Sequence, residues 1–244
     1  MGKKLVILFF LLSVFNLYAV ATQWQSGIYF SKPFLMTVLA AWFYMHTKNN
    51  FTVFSKFILA GIVFSIGGDT FLMFVDKNPA FFLAGLGSFL ITQLLYIFAF
   101  INFREFKNGF IINKKWMALP VVAYLLSFVY YLIPDIPDAY LIPVLIYSLI
   151  ISTMLANAIN MRGRVGEKEA TGIIVGALLF VISDSCIAIN KFKNPGISAE
   201  IMGVIIMTTY LLGQYLIVFH AVKTNNKTVR STDLYSSIIM GSPK

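Results

Sequence analysis

The sequence predicts an all-α protein, a polytopic membrane bundle of about eight transmembrane helices, and three observations carry that expectation. First, 59% of its 244 residues are hydrophobic and only 12% are charged, whereas soluble domains average about 25% charged. Second, mean hydropathy is +0.81, so lipid rather than water suits the chain as solvent. Third, the apolar residues gather into runs at 5–21, 32–46, 55–75, 79–103, 116–133, 139–161, 169–190 and 200–222. Each run is near the roughly 20 residues that a helix needs to cross a bilayer core. Short loops with Pro, Asn, Asp or Lys separate them. No shift in composition divides the chain, so residues 1–222 read as one transmembrane bundle. Residues 223–244 read as a soluble, mobile tail.

The formal charge of +9 is explained by its distribution. If loops alternate between the two faces, fifteen of the 19 Lys and Arg fall on one side, including Lys3, Arg104, Arg162, Lys227, Arg230 and Lys244. The other side holds Lys32, Lys77, Lys191 and Lys193. The positive-inside rule then places both termini in the cytoplasm, with an even number of spans. The expected location is an integral membrane, of the bacterial inner-membrane type. Membrane lipids are the expected surroundings, and the charge needs no nucleic-acid partner. A rival reading of the N-terminus is a cleaved secretory signal, from Lys3-Lys4, an apolar run and Ala19-Val20-Ala21. The internal echo described next favours keeping the first helix. The single cysteine, Cys186, excludes an internal disulfide.

The third run carries Phe64-Ser65-Ile66-Gly67-Gly68-Asp69 and the seventh carries Leu179-Phe180-Val181-Ile182-Ser183-Asp184. Each aspartate precedes an apolar stretch and then a lysine, Lys77 or Lys191. Gln93-Leu94-Leu95-Tyr96 in the fourth run echoes Tyr210-Leu211-Leu212-Gly213-Gln214-Tyr215 in the eighth. Runs three and four thus echo seven and eight, as two parallel four-helix halves would.

Of ten acidic residues, only Asp69 and Asp184 fall deep inside runs. A charge at mid-bilayer costs roughly 2.5–3.5 kcal/mol, and such groups turn inward and mark sites. Both lie roughly 21–23 Å from the inner ends of their helices, a shared depth that lets them converge. Two adjacent carboxylates in low dielectric do not both ionise, so one stays protonated and the other charged. That is a general acid paired with a general base. The bland alternative is that each aspartate braces its own helix.

Other polar groups suit a lining around them. Ser65 stands one helical turn before Asp69. Gln93, Tyr96, Tyr147, Asn190, Tyr210 and Gln214 sit in later runs as candidate substrate contacts, or as interhelical hydrogen bonds. Lys32-Pro33 opens the second helix, where the lysine suits either lipid headgroups or a substrate phosphate. Gly172 and Gly176 form a small-xxx-small pair to seat a neighbouring helix. The two histidines, His46 and His220, lie near helix ends, and no metal cluster assembles from them. No nucleophile elbow or phosphate loop is present. The expectation is therefore no metal and no cofactor.

Ser31-Lys32-Pro33-Phe34, Phe64-Ser65-Ile66-Gly67-Gly68-Asp69-Thr70-Phe71-Leu72-Met73, Gly85-Leu86-Gly87-Ser88-Phe89-Leu90, Gly176 through Asp184, and Tyr210-Leu211-Leu212-Gly213-Gln214 resemble the YhhN family. That family includes the mammalian lysoplasmalogenases. The likeness runs from the second to the eighth helix. Family members often carry a histidine where Gln93 aligns, and glutamine does not titrate. The resemblance implies hydrolysis of the vinyl ether bond of a lysoplasmalogen, a lysophospholipid or ether-lipid substrate. The products would be a fatty aldehyde and a glycerophospho-ethanolamine or -choline. The aspartate pair suits that chemistry, so catalysis is expected to be split between Asp69 and Asp184, with neither assigned as the acid. Two other functions fit the same residues: a proton-coupled transporter and a non-catalytic lipid-binding protein.

Overall fold

The computed structural model describes residues 2–193 and 195–240, with side chains as far as residue 226. Hydrocarbon offers no partner to a bare N–H or C=O, so an apolar chain satisfies its backbone within helices. Among the described residues, eight helical segments are long and apolar enough to span a membrane. In chain order they and one short turn are α1 (Gly2–Ala21), α2 (Gln25–Thr47), α3 (Val53–Leu72), α4 (Ala80–Ile101), α5 (Phe110–Asn113), α6 (Leu119–Leu132), α7 (Asp138–Ile159), α8 (Glu167–Phe192) and α9 (Ala199–Met240). α5 is the short turn. No strand occurs among the described residues.

One local expectation is corrected. Lys32-Pro33 does not open the second helix, which starts at Gln25 with Pro33 inside it. The hydroxyl of Ser31 donates to Gly27 O at 2.7 Å, and that of Thr37 donates to Pro33 O at 2.8 Å. These bonds lie on either side of the proline, which itself leaves the Tyr29 carbonyl without its helical N–H donor.

Helices α1, α2, α3, α4, α7, α8 and α9 pack in sequence, and α9 returns to α1 to close the ring. α9 also reaches α2 and α3. α1 is an integral wall, with Phe9 and Ala19 buried. α6 rests on α7 and α8 from outside the ring, exposing Leu119, Val122, Leu126 and Tyr130.

The two tightest crossings are α3 with α4 and α8 with α9, the pairs that the internal echo relates. Glycines explain the closeness. A Cβ at Gly176 would lie 2.8 Å from Gly213 O, and one at Gly68 would lie 2.6 Å from the Phe89 ring. Gly172 likewise seats the ring of His220.

The bundle ends differ in character. Lys32, Asp76, Asn190 and Lys191 border one cavity at one end. At the opposite end, the Asn225 side chain accepts from Thr52 (2.6 Å) and Ser55 (2.9 Å) and donates to Asn50 O (3.0 Å). There too, Arg164 donates to Ile101 O at 3.2 Å and to Phe103 O, holding the end of α4. Burial pushes the Arg164 guanidinium down to about 10, so it keeps its charge at neutral pH. Lys227, Arg230, Lys244 and most of the expected tail have side chains outside the described residues.

Candidate active site

Asp69 on α3 and Asp184 on α8 both turn into the bundle, 3% and 9% exposed. Each is held by a tyrosine from another helix. Tyr210 of α9 donates to Asp69 Oδ2 at 2.7 Å. Tyr147 of α7 donates to Asp184 Oδ2, and Gln93 Nε2 of α4 donates to that same oxygen at 3.3 Å. The partners cross over between the echoing pairs: the α3 acid binds α9, and the α8 acid binds α4. Phe89, Phe180 and Tyr210 pack edge to face beside the acids, with centroids 5.7–6.1 Å apart.

A second polar layer lies one turn further along α3. Gln214 Nε2 donates to Ser65 Oγ at 2.9 Å, and Tyr96 donates to Gln214 Oε1 at 2.7 Å. Thr92 Oγ1 donates to Gly61 O at 3.0 Å and stands 3.3 Å from Ser65 Oγ. Ser65, Thr92, Tyr96 and Gln214 are fully buried. Unpaired, such groups would each cost roughly 1–3 kcal/mol. Pairing them fixes the rotation of α3, α4 and α9, and so the aim of Asp69. One acceptor is left over in the acid layer: Gln93 Oε1 is buried with no hydrogen-bond partner among the described residues.

Two cavities lie side by side next to this layer. An apolar cavity of about 40 Å³ lies among α4, α6, α7 and α8, bordered by Asp184, Tyr147 and Tyr124 among aliphatic and phenyl groups. A vestibule of about 440 Å³ is bordered by Lys32, Gln25, Asp76, Asn190 and Lys191. Leu72, Phe82 and Ile187 belong to the walls of both. Met73 and Met207 also border the vestibule, one turn from Asp69 and Tyr210 along their helices.

The structure thus brings Asp69, Asp184, Gln93, Tyr147 and Tyr210 into one layer. Ser65, Tyr96 and Gln214 form the layer below, and Lys32 and Asn190 stand at the vestibule. Sequence reasoning passed over Phe89, Thr92, Phe82 and Lys191. Phe89 precedes Gln93 by one helical turn, so face periodicity pointed to it. Phe82 stands two turns before Phe89 and Lys191 two turns after Asp184, so the same periodicity put them on those faces without saying what they do. Among the described residues, no three His, Cys, Asp or Glu side chains gather as a metal site would require.

Eight apolar helices around two inward-facing acids define a polytopic membrane protein with an intramembrane acidic site. Residues 27–221 match the YhhN family, and the chain belongs to that family. It is 30% identical over 171 residues to the Homo sapiens protein named lysoplasmalogenase TMEM86B, covering 70% of this chain and 66% of that one. It is 32% identical over 170 residues to the Bos taurus protein named lysoplasmalogenase TMEM86A, covering 68% of this chain and 65% of that one. The chain therefore matches just under two thirds of the length of these relatives. No solved structure matches the chain.

Proposed function

We propose that this protein is a membrane-embedded hydrolase that cleaves the vinyl ether bond of a lysoplasmalogen by acid–base catalysis. The observation that carries the reading is the pair of buried carboxyls, each tyrosine-bound, with Asp184 bordering an apolar cavity. The names of the relatives support the substrate.

The chemistry follows from the bond. A proton delivered to the alkenyl carbon β to the ether oxygen makes an oxocarbenium ion. Water adds to that ion and loses a proton, and the hemiacetal collapses to a fatty aldehyde and a glycerophospho-ethanolamine or -choline. Protonation needs a neutral acid, and the cation needs a nearby anion. Asp184, at the chain cavity, takes the acid role. Asp69, bound by Tyr210, is the ionised partner and stabilises the cation. Gln93 and Tyr147 orient Asp184, and the spare Oε1 of Gln93 seats the attacking water. Tyr210 orients Asp69, while Ser65, Tyr96 and Gln214 brace it from below. Lys32 and Asn190 face the headgroup. The basic-rich end faces the cytoplasm, with both termini there, in a membrane of the bacterial inner type.

The test is aldehyde release from lysoplasmalogen by purified protein. Asp69→Asn and Asp184→Asn should each lower kcat by about a hundredfold or more while remaining folded. Undiminished release by both variants would refute the reading. Transport of substrate across vesicles without cleavage would favour a carrier.

A further inference from the structure

The vestibule and the apolar cavity are separate spaces with one common wall, made by Leu72, Phe82 and Ile187. Their linings differ. One presents two ammonium groups, a carboxylate and two amides among apolar side chains, and the other is mostly hydrocarbon around Asp184 and a few hydroxyls. A single molecule that satisfies both must be an amphiphile, polar at one end and aliphatic at the other. Phe82 is the wall residue best placed to control the join. Lys191 Nζ stands 5.3 Å from the centroid of its ring on the vestibule side. Tyr140 and Phe192 pack against it at 5.8 and 5.9 Å. An ammonium over a phenyl face is a weak contact when exposed, whereas an ammonium on a phosphate forms a charge-assisted bond.

We propose that the vestibule is a site for a phosphate-bearing headgroup, read by Lys191 together with Lys32, and that Phe82 is the specificity-determining partition through which the attached chain reaches Asp184. When phosphate engages Lys191, the ammonium leaves the Phe82 ring. The ring then keeps only its contacts with Tyr140 and Phe192, and a turn of it makes the two cavities one channel for a chain. The headgroup thereby admits the chain, and an amphiphile without phosphate leaves the partition shut. This rests on reading the site as one for a lysolipid. It goes further by naming the residues that couple headgroup to chain.

Binding tests it without turnover. The probes are a saturated single-chain alkyl glycerophosphocholine, the same alkylglycerol without phosphate, and free glycerophosphocholine, with purified protein in detergent. The phosphate-bearing ether should bind about tenfold tighter than the alkylglycerol. Lys191→Gln and Lys32→Gln should each bring that ratio close to one. Phe82→Trp enlarges the partition, and Ile187→Phe does so from α8, covering the case in which the first variant fails to fold. Each should weaken the ether by about tenfold and leave glycerophosphocholine within about twofold of wild type. A wild-type ratio near one, a ratio unchanged by both lysine variants, or equal losses for ether and headgroup in the partition variants would overturn the proposal. Loss of aldehyde release with this binding pattern intact would instead overturn the hydrolase reading alone.

Discussion

Replacing Gly176 by alanine should loosen the crossing that holds the acid layer together. The added Cβ would lie 2.8 Å from both Gly213 O and Ile217 N, where ordinary contact begins at 3.4 Å. Both obstacles are backbone, so neither can rotate away. α8 and α9 must part by about 0.6 Å. Overpacking of this kind costs about 1–3 kcal/mol, or roughly 2–12 °C in Tm for a chain of this size. Alanine's better helix propensity, about 1 kcal/mol, works in the opposite direction, so a net loss would show that the clash dominates. The same movement shifts Tyr210 and Gln214 against α3 and should lower kcat by about tenfold. Gly172→Ala is the internal control. Its Cβ meets only the His220 ring, at 2.0 Å, and a side chain can swing aside. Its change in Tm should be less than half as large. The measurement is thermal unfolding in detergent beside aldehyde release. A Gly176→Ala protein with unchanged Tm, or a Gly172→Ala protein that suffers more, would refute the packing argument.

Three further outcomes follow. Tyr210→Phe leaves Asp69 Oδ2 without the 2.7 Å donor and should cost about 1–3 kcal/mol in stability. It should lower kcat more than Tyr96→Phe, which alters only the lower layer; equal kcat losses would count against the two-layer account. Arg164→Met removes the donor to Ile101 O and Phe103 O and should lower Tm by several degrees, about 1–3 kcal/mol, as differential scanning fluorimetry would show. Lys193→Met breaks a partly exposed pair with Asp135 and should move stability by only about 0–1 kcal/mol in the same assay.

The sequence made some of this legible because membrane physics leaves few options. Apolar runs of the right length become helices, and acids inside them turn inward. Asp69 and Asp184 could therefore be placed inside the bundle, and the glycines at 172 and 176 could be read as seats. Partnership between helices was harder. Nothing local says that Tyr147 of α7 rather than Tyr96 of α4 binds Asp184, because that depends on which helices neighbour each other. The start of α2 was misplaced because Pro33 looks like a first-turn proline, while the residues before it, Gln25 to Ser31, are too mixed to extend an apolar run. Phe82 and Lys191 gain meaning only once two cavities share a wall, which no linear pattern encodes. The placement of α6 outside the ring was equally hidden, since its composition matches that of the wall helices.

Carbon protonation by the aspartate pair is tested most directly by running the hydrolysis of lysoplasmalogen in heavy water and trapping the aldehyde at once for mass spectrometry. Wild-type protein should yield aldehyde carrying one solvent deuteron on the carbon next to the carbonyl, at a rate that collapses in Asp184→Asn. Aldehyde free of deuterium at that carbon, or formed as fast without the Asp184 carboxyl, would contradict the account.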